Sequence, residues 1–375
     1  MTNTLTAPVQ RPRHIPSLDG VRALSVFLVI VLHTLQAYSV THHVSWTLLA
    51  IGNGAMGVYI FFVISGYLIT TLLLREREKT GTISLRSFYL RRGFRILPPL
   101  YFYIFFLVAL HALGHLPGMN RLELITALTF TRNYVPHVGL WAMEHLWSIC
   151  VEEQFYLIWP AILVACVFHR QGARGRSLAS RVAIAVIVVE PFIRVLSFRY
   201  LPNFHNPGAF HMNSDGLMFG ALGALQQGHE RFESIYTRIT RWPWLLPILL
   251  FAVSGALGIK FGNYWNMPIG ITINGFIILM WLLWLIRNPE STQGRLFNQR
   301  TIAWIGRLSY SLYLWQTFYL HTQRVTVWGR LAWWNSFPVN WLFIFATSVF
   351  SYYCIEQPSL HLRDVFLRKI RWHEI

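Results

Sequence analysis

Charge is what this sequence has least of. Charged residues make up 13% of the 375-residue chain against 54% hydrophobic ones, and the mean hydropathy is +0.42. A soluble protein of this length needs more polar surface than that, so a bilayer is the implied solvent. Acidic residues are scarcer still, 15 Asp and Glu against 32 Lys and Arg, which leaves a formal net charge of +17. An excess of that kind suits a nucleic-acid binder only when the basic residues gather on one soluble face. Here they fall between apolar runs, which excludes nucleic acid as a partner. Cysteine is limited to Cys150, Cys166 and Cys354, each inside an apolar stretch where it behaves as a small hydrophobe, so there is no disulfide framework and no clue to the redox compartment. Also missing are internal repeats, low-complexity segments and any polar stretch long enough for a soluble domain.

What the chain does contain is a series of apolar runs, each long enough to cross a hydrocarbon core of about 30 Å. They lie at about 18–38, 54–74, 97–114, 145–168, 181–199, 211–228, 243–260, 267–286, 302–321 and 338–357, give or take a few residues. The first is longer than a signal-peptide core and reads as an uncleaved span. By sidedness, about 23 of the 32 Lys and Arg fall in the two tails and the alternate loops, and about six on the opposite side. An error of one span would scramble that asymmetry, which favours ten spans over eight or eleven. The expected fold is an all-α integral membrane bundle of about ten helices with both termini cytoplasmic, the N-terminal tail covering 1–17, the transmembrane domain 18–358 and a basic C-terminal tail 359–375. The long connection at 115–144 carries Leu122, Leu124, Ile125, Leu128 and Phe130, a pattern for an interfacial amphipathic helix.

Ionisable residues inside a span cost several kcal/mol unless paired or wet, so each is a candidate functional group. Arg22 and His33 lie on nearly one face of the first span, about 16 Å apart along the axis. Two readings of each stay open: Arg22 pairs with Asp19 and snorkels or serves the site, and His33 is a packed neutral imidazole or a base. The fourth span places His145, Ser148, Glu152, Tyr156 and Trp159 at helical spacing, with Glu153 beside them. Glu152 is expected at a depth comparable with His33, where a carboxylate facing an imidazole raises its basicity and fixes its tautomer. Just before the third span, Arg92 and Arg95 stand at i and i+3, a spacing that converges two guanidinium forks on a phosphate or, more blandly, on anionic lipid. Ser65-Gly-Tyr in the second span reads as a close-packing point and Asp215 as a helix cap or substrate contact. His42-His43, His205 and His211 have no carboxylate neighbours at ligand spacing, so no metal is assigned.

Taken in order, Ile15-Pro-Ser-Leu-Asp-Gly-Val-Arg-Ala-Leu through His33, Phe61-Phe-Val-Ile-Ser-Gly-Tyr-Leu-Ile, Phe88-Tyr-Leu-Arg-Arg-Gly-Phe-Arg-Ile-Leu-Pro, Trp147-Ser-Ile-Cys-Val-Glu-Glu-Gln-Phe-Tyr and Ser309-Tyr-Ser-Leu-Tyr-Leu-Trp resemble the acyltransferase 3 family from about Ile15 to about Pro358. The resemblance implies a membrane O-acyltransferase of about ten helices that moves acyl groups, commonly acetyl, from cytoplasmic acyl-CoA to a carbohydrate or glycoconjugate hydroxyl. No permanently bound cofactor is implied; acetyl-CoA or another acyl-CoA is a substrate. Carried onto this chain, the family motifs put catalysis on His33, Glu152 and Glu153, acyl-CoA binding on Arg22, Arg92 and Arg95, and acceptor-side or structural roles on Ser65, Asp215 and Tyr310. The bacterial inner membrane is the implied location. Two positions depart from the family pattern, Gln316 where a histidine is common and Asn213 where an arginine is common.

The mechanism this implies has acyl-CoA phosphates held by the arginines and the thioester reaching His33, which takes the acceptor hydroxyl's proton while a carboxylate supports the imidazolium. A variant acylates His33 itself. The residues alone also admit a transporter or flippase of an envelope glycan precursor that uses the histidine and glutamates as a proton relay, or an assembly partner in which they are structural.

Overall fold

The computed structural model describes residues 16–39, 54–135, 140–169, 173–201, 205–320, 326–327, 330–331, 334 and 336–373. The expected N-terminal tail, up to residue 15, and His42-His43 lie outside the described residues. In chain order the helices are α1 (Pro16–Ser39), α2 (Gly54–Thr80), α3 (Leu85–Ala112), α4 (Arg121–Leu128), α5 (Leu146–His169), α6 (Ala173–Tyr200), α7 (Ser214–Gln226) and α8 (Glu230–Ile239). They continue with α9 (Leu245–Phe261) and α10 (Asn263–Arg287), then α11 (Thr292–Phe297), α12 (Arg300–Arg307), α13 (Ser309–Tyr319), α14 (Val339–Ser351) and α15 (Gln357–His373). A two-residue ladder pairs Thr326–Val327 with Arg330–Leu331, antiparallel.

Helices overlie all ten apolar stretches, but unequally. Those containing Ser17–Tyr38, Gly54–Thr80, Leu85–Ala112, Trp141–Val167 and Asn263–Arg287 are long and apolar enough to cross a membrane. The others are shorter or, like α6 with Glu190, Arg194 and Arg199, more polar. The chain is thus an integral membrane protein. Three π turns, Leu249–Val253, Asn266–Gly270 and Tyr352–Glu356, interrupt α9, α10 and the junction of α14 with α15.

Local chemistry sets the ends and kinks. Ser84 and Asn120 cap α3 and α4 through the amides of Ser87 and Glu123, and Gly81, at φ 78°, terminates α2 in a conformation that side chains resist. Pro98 inside α3 has no N–H to offer the Phe94 carbonyl, and Ser359 of α15 donates to it instead at 2.6 Å. Lipid gives helices little hydrophobic reason to associate, so close approach and polar contacts do the joining. The clearest case is the crossing of α2 and α7: a Cβ on Gly66 would lie 1.8 Å from the Leu217 carbonyl oxygen, and one on Gly220 2.1 Å from that of Val63. Ser65-Gly66-Tyr67, read from sequence as a close-packing point, is one through Gly66, while Ser65 itself donates to Glu152.

The helix within 115–144 is α4. It exposes Leu122, Ile125 and Leu128 and buries Glu123, whose carboxylate accepts the Leu140 amide at 2.6 Å and lies 3.7 Å from Arg132. Burial, more than any other cause, raises the Glu123 pKa.

Candidate active site

Near the C-terminal end of α1, His33 Nδ1 lies 3.3 Å from Gln316 Oε1 on α13. An amide oxygen only accepts, so Nδ1 carries the proton and Nε2 keeps its lone pair. The amide nitrogen of the Gln316 side chain, Nε2, is buried without a hydrogen-bond partner among the described residues. His145, just before α5, is within electrostatic reach of His33, packs its ring against Tyr103 and Tyr313, and sits 2.8 Å through Nδ1 from Thr317 Oγ1. His33 and His145 both line a cavity of about 980 Å³, whose walls come from α1, α2, α6, α9, α10 and the segments leading into α5 and α7.

One layer deeper, Glu152 is held on three sides. Ser65 donates to its Oε1 at 3.0 Å and Tyr156 to its Oε2 at 2.9 Å, while Arg92 stands 3.6 Å away with its guanidinium 3.8 Å above the Tyr156 ring. Glu153 is 3.7 Å from the same Arg92. Between this layer and the histidines, Ser148 and Tyr313 share a 2.6 Å hydrogen bond and Tyr313 donates to the His145 carbonyl.

At the far end of the file, Arg22 pairs with Asp19 at 3.3 Å, and Arg95 lies within electrostatic reach of Arg22, Arg92 and Glu356. Glu356, set in the last π turn, accepts from Ser311 at 3.2 Å. Tyr310 donates to the Ile96 carbonyl at 2.9 Å, tying α13 to α3. The three arginines named from sequence therefore do converge, but among carboxylates.

Asp215 does not cap α7. Completely buried, it accepts Tyr59 at 2.6 Å and Thr272 at 2.7 Å and pairs with Arg194 at 2.9 Å. Arg194 also bonds Thr272 and the carbonyls of Met212 and Met267, and Glu190 stands 3.4 Å off, itself accepting Ser214 at 2.6 Å.

One geometric expectation fails. Glu152 does not face His33; Gln316 takes the imidazole and Glu152 belongs to the Arg92 layer. The reason is helical rise: Glu152 is seven residues along α5 from His145, about 10 Å at 1.5 Å per residue, so His145 is the α5-side residue at His33's depth. The sequence reading missed what Gln316, Glu356 and Arg194 do. Gln316 was visible only as a departure from a pattern. Buried charge in an apolar run marked the other two. Among the described residues no three metal-ligating side chains come together.

A membrane-spanning helical bundle with a buried file of ionisable side chains running to a histidine-lined cavity is the class of protein that this arrangement defines. Within that class the chain belongs to the acyltransferase 3 family, whose acyltransferase domain matches residues 15–356. It is 29% identical over 325 residues to "Peptidoglycan O-acetyltransferase OatA" of Listeria monocytogenes, covering 81% of this chain and 49% of that protein. It is likewise 29% identical over 330 residues to "Putative peptidoglycan O-acetyltransferase YrhL" of Bacillus subtilis, covering 82% and 48%. The chain thus spans about half the length of these bacterial relatives. No solved structure matches it.

Proposed function

We propose that this protein is a bacterial inner-membrane O-acyltransferase that transfers an acyl group, acetyl by analogy with its relatives, from cytoplasmic acyl-CoA to a hydroxyl of a cell-envelope carbohydrate polymer of the peptidoglycan kind. The observation that carries the reading is His33, its Nδ1–H given to Gln316 and its Nε2 left as a base, on the wall of a cavity of about 980 Å³. That volume is at the upper end of ordinary ligand pockets.

In this reading ten helices cross the membrane with both termini cytoplasmic, consistent with the alternation of Lys and Arg. The cationic end formed by Arg22, Arg92 and Arg95 receives the donor, and the polar file leads its thioester toward His33. His33 Nε2 takes the acceptor hydroxyl's proton as the oxygen attacks the thioester carbon. The C–S bond then breaks, and the sulfur leaves with the electron pair and takes that proton as the free thiol. Glu152, fixed by Ser65, Tyr156 and Arg92, and Glu153 beside it supply negative charge below the histidines that favours the imidazolium while it exists.

The test is mass spectrometry of envelope glycans from cells with the gene intact, deleted, or restored as His33→Ala with membrane expression verified. An acyl increment should vanish on deletion and stay absent with His33→Ala. Its return with His33→Ala would remove His33 from the chemistry, and no glycan change in any strain would remove the envelope-transferase reading.

A further inference from the structure

The relatives' names suggest a polymer, and the cavity's own charges say more about it. Among the described residues that line the cavity, the formally charged ones other than histidine are Arg132, Arg194 and Glu144. Both arginines are already engaged. Arg132 lies 3.7 Å from the buried Glu123 carboxylate and bonds the Val135 carbonyl. Arg194 stands between Asp215 and Glu190, one guanidinium to two carboxylates. Glu144 is exposed at the rim, close enough to Glu123 to oppose its ionisation. Lys260 is not among the lining residues; its ammonium lies over the Phe261 ring. The wall is therefore balanced or negative, and an anionic group entering it would surrender its water without meeting an uncommitted cation.

Apart from His33, His145 and His205, the remaining polar wall among the described residues is uncharged, most of it amide. Asn263, Asn266 and Asn274 supply amide donors and acceptors without charge, the Asn274 Oδ1 being buried with no hydrogen-bond partner among the described residues, while Asn206 and Asn213 spend theirs on neighbouring backbone; Trp147 and Tyr59 supply flat aromatic surface beside them. Amides and rings of that kind match hydroxyls, N-acetyl groups and the apolar face of a sugar.

We propose that the His33 cavity selects an electrically neutral acceptor, a sugar bearing hydroxyl and amide groups with no free carboxylate or phosphate on the rings it encloses, and that Glu144 is a specificity residue that turns anionic glycans away. The proposal rests on the transferase reading for its purpose, but it makes a separate claim about binding.

Binding distinguishes the possibilities directly. The full chain, purified in detergent, is titrated by calorimetry at low ionic strength with two uncharged-versus-charged trimers of equal length, tri-N-acetylchitotriose and trigalacturonic acid. The neutral trimer should bind at least about tenfold more tightly. Glu144→Lys and the milder Glu144→Gln should both narrow that ratio, Lys more than Gln, by admitting the acid trimer. Equal binding, preference for the acid trimer, binding of neither, or a ratio indifferent to both Glu144 variants overturns the proposal. If His33→Ala abolishes envelope acylation while the trimers show no charge preference, the transferase reading stands and the selectivity falls. If the preference is found but no acylation depends on His33, the cavity keeps its selectivity and the chemistry must be reassigned.

Discussion

The guanidinium of Arg92 lies 3.8 Å above the ring of Tyr156, and the hydroxyl of that same tyrosine donates to Glu152, from which Arg92 is 3.6 Å away. Arginine, carboxylate and phenol thus fix one another within one buried layer, and Glu153 at 3.7 Å shares the same cation. A planar guanidinium can stack on the ring while serving two carboxylates; an ammonium cannot do both. Arg92→Lys should fold yet lose at least about tenfold in kcat, with a smaller change in donor KM, because Glu152 is no longer held in place. Arg92→Ala leaves two adjacent, mostly buried carboxylates, 19% and 16% exposed, without a counter-ion and should destabilise the protein by up to about 3 kcal/mol. Acyl-transfer kinetics and thermal unfolding in detergent measure the two effects. If Arg92→Lys instead raises donor KM alone, Arg92 serves only to receive the donor and does not anchor this layer.

His33 depends on Gln316 for its tautomer. Replacing that amide with Leu removes the acceptor for Nδ1–H and lets the ring rotate or exchange its proton, so Gln316→Leu should cost about 10- to 100-fold in kcat. Gln316→Glu restores an acceptor at the same place and should recover part of the loss. His33→Ala removes the base itself, with an expected loss of about 10²- to 10⁴-fold. A steady-state comparison of the three variants checks the order; Gln316→Leu at full rate would mean that the 3.3 Å contact does not matter to catalysis.

Much of this was legible in the sequence, and the illegible part has a common cause. Long apolar runs announced the membrane and the helices, since the thickness of a bilayer imposes a length that sequence must meet. Membership of the family followed from ordered motifs, and those motifs grouped Arg22 and Arg92 with Arg95, within whose electrostatic reach both do lie, but set Glu152 beside His33 instead of beside Arg92. Pairing was a different matter. Whether Glu152 meets His33 or Arg92 depends on how far α1 and α5 slide along each other, a quantity no single-helix periodicity contains. Arg194 was invisible as Asp215's partner because 21 residues and a turn separate them. Glu356 reaches the arginines from a π turn, whose extra residue per turn shifts a side chain off the face that a regular helix would give it.

On the polar rim, Glu233 accepts two hydrogen bonds from Arg287, at 2.6 and 2.9 Å, and one from the Gly228 amide. The bond with Arg287 is the main cause that holds the Glu233 pKa below its usual value. A carboxyl with a depressed folded pKa contributes stability above its unfolded pKa and loses that contribution as pH falls through the folded one. Glu233→Gln should therefore cost roughly 0.5–1 kcal/mol at neutral pH, and the difference from wild type should shrink once the pH drops below about 4. Thermal unfolding at pH 7 and in the acid range tests this; a difference independent of pH would mean the pair contributes through shape and not charge.

Arg194 and Asp215 offer the sharpest stability test, because the pair is buried and its bonds reach four helices. Tyr59 brings in α2, Thr272 brings in α10, and Asp215 and Arg194 themselves belong to α7 and α6. Removing Arg194 strands Asp215 and Glu190 together without a counter-ion, whereas removing Asp215 leaves Arg194 with Glu190 at 3.4 Å. Arg194→Met should therefore cost about 3–5 kcal/mol, or prevent assembly in the membrane, and Asp215→Leu should cost less. Removing both strands only Glu190, which can take up a proton, together with the hydroxyls of Tyr59 and Thr272, so the double variant should be more stable than the sum of the single losses predicts. A coupling near 2 kcal/mol or more, from unfolding in detergent, would be the signature of a charge pair in direct contact. Strict additivity would mean that each residue acts through its other bonds, Arg194 through the Met212 and Met267 carbonyls and Asp215 through Tyr59, and that the ion pair itself holds nothing together.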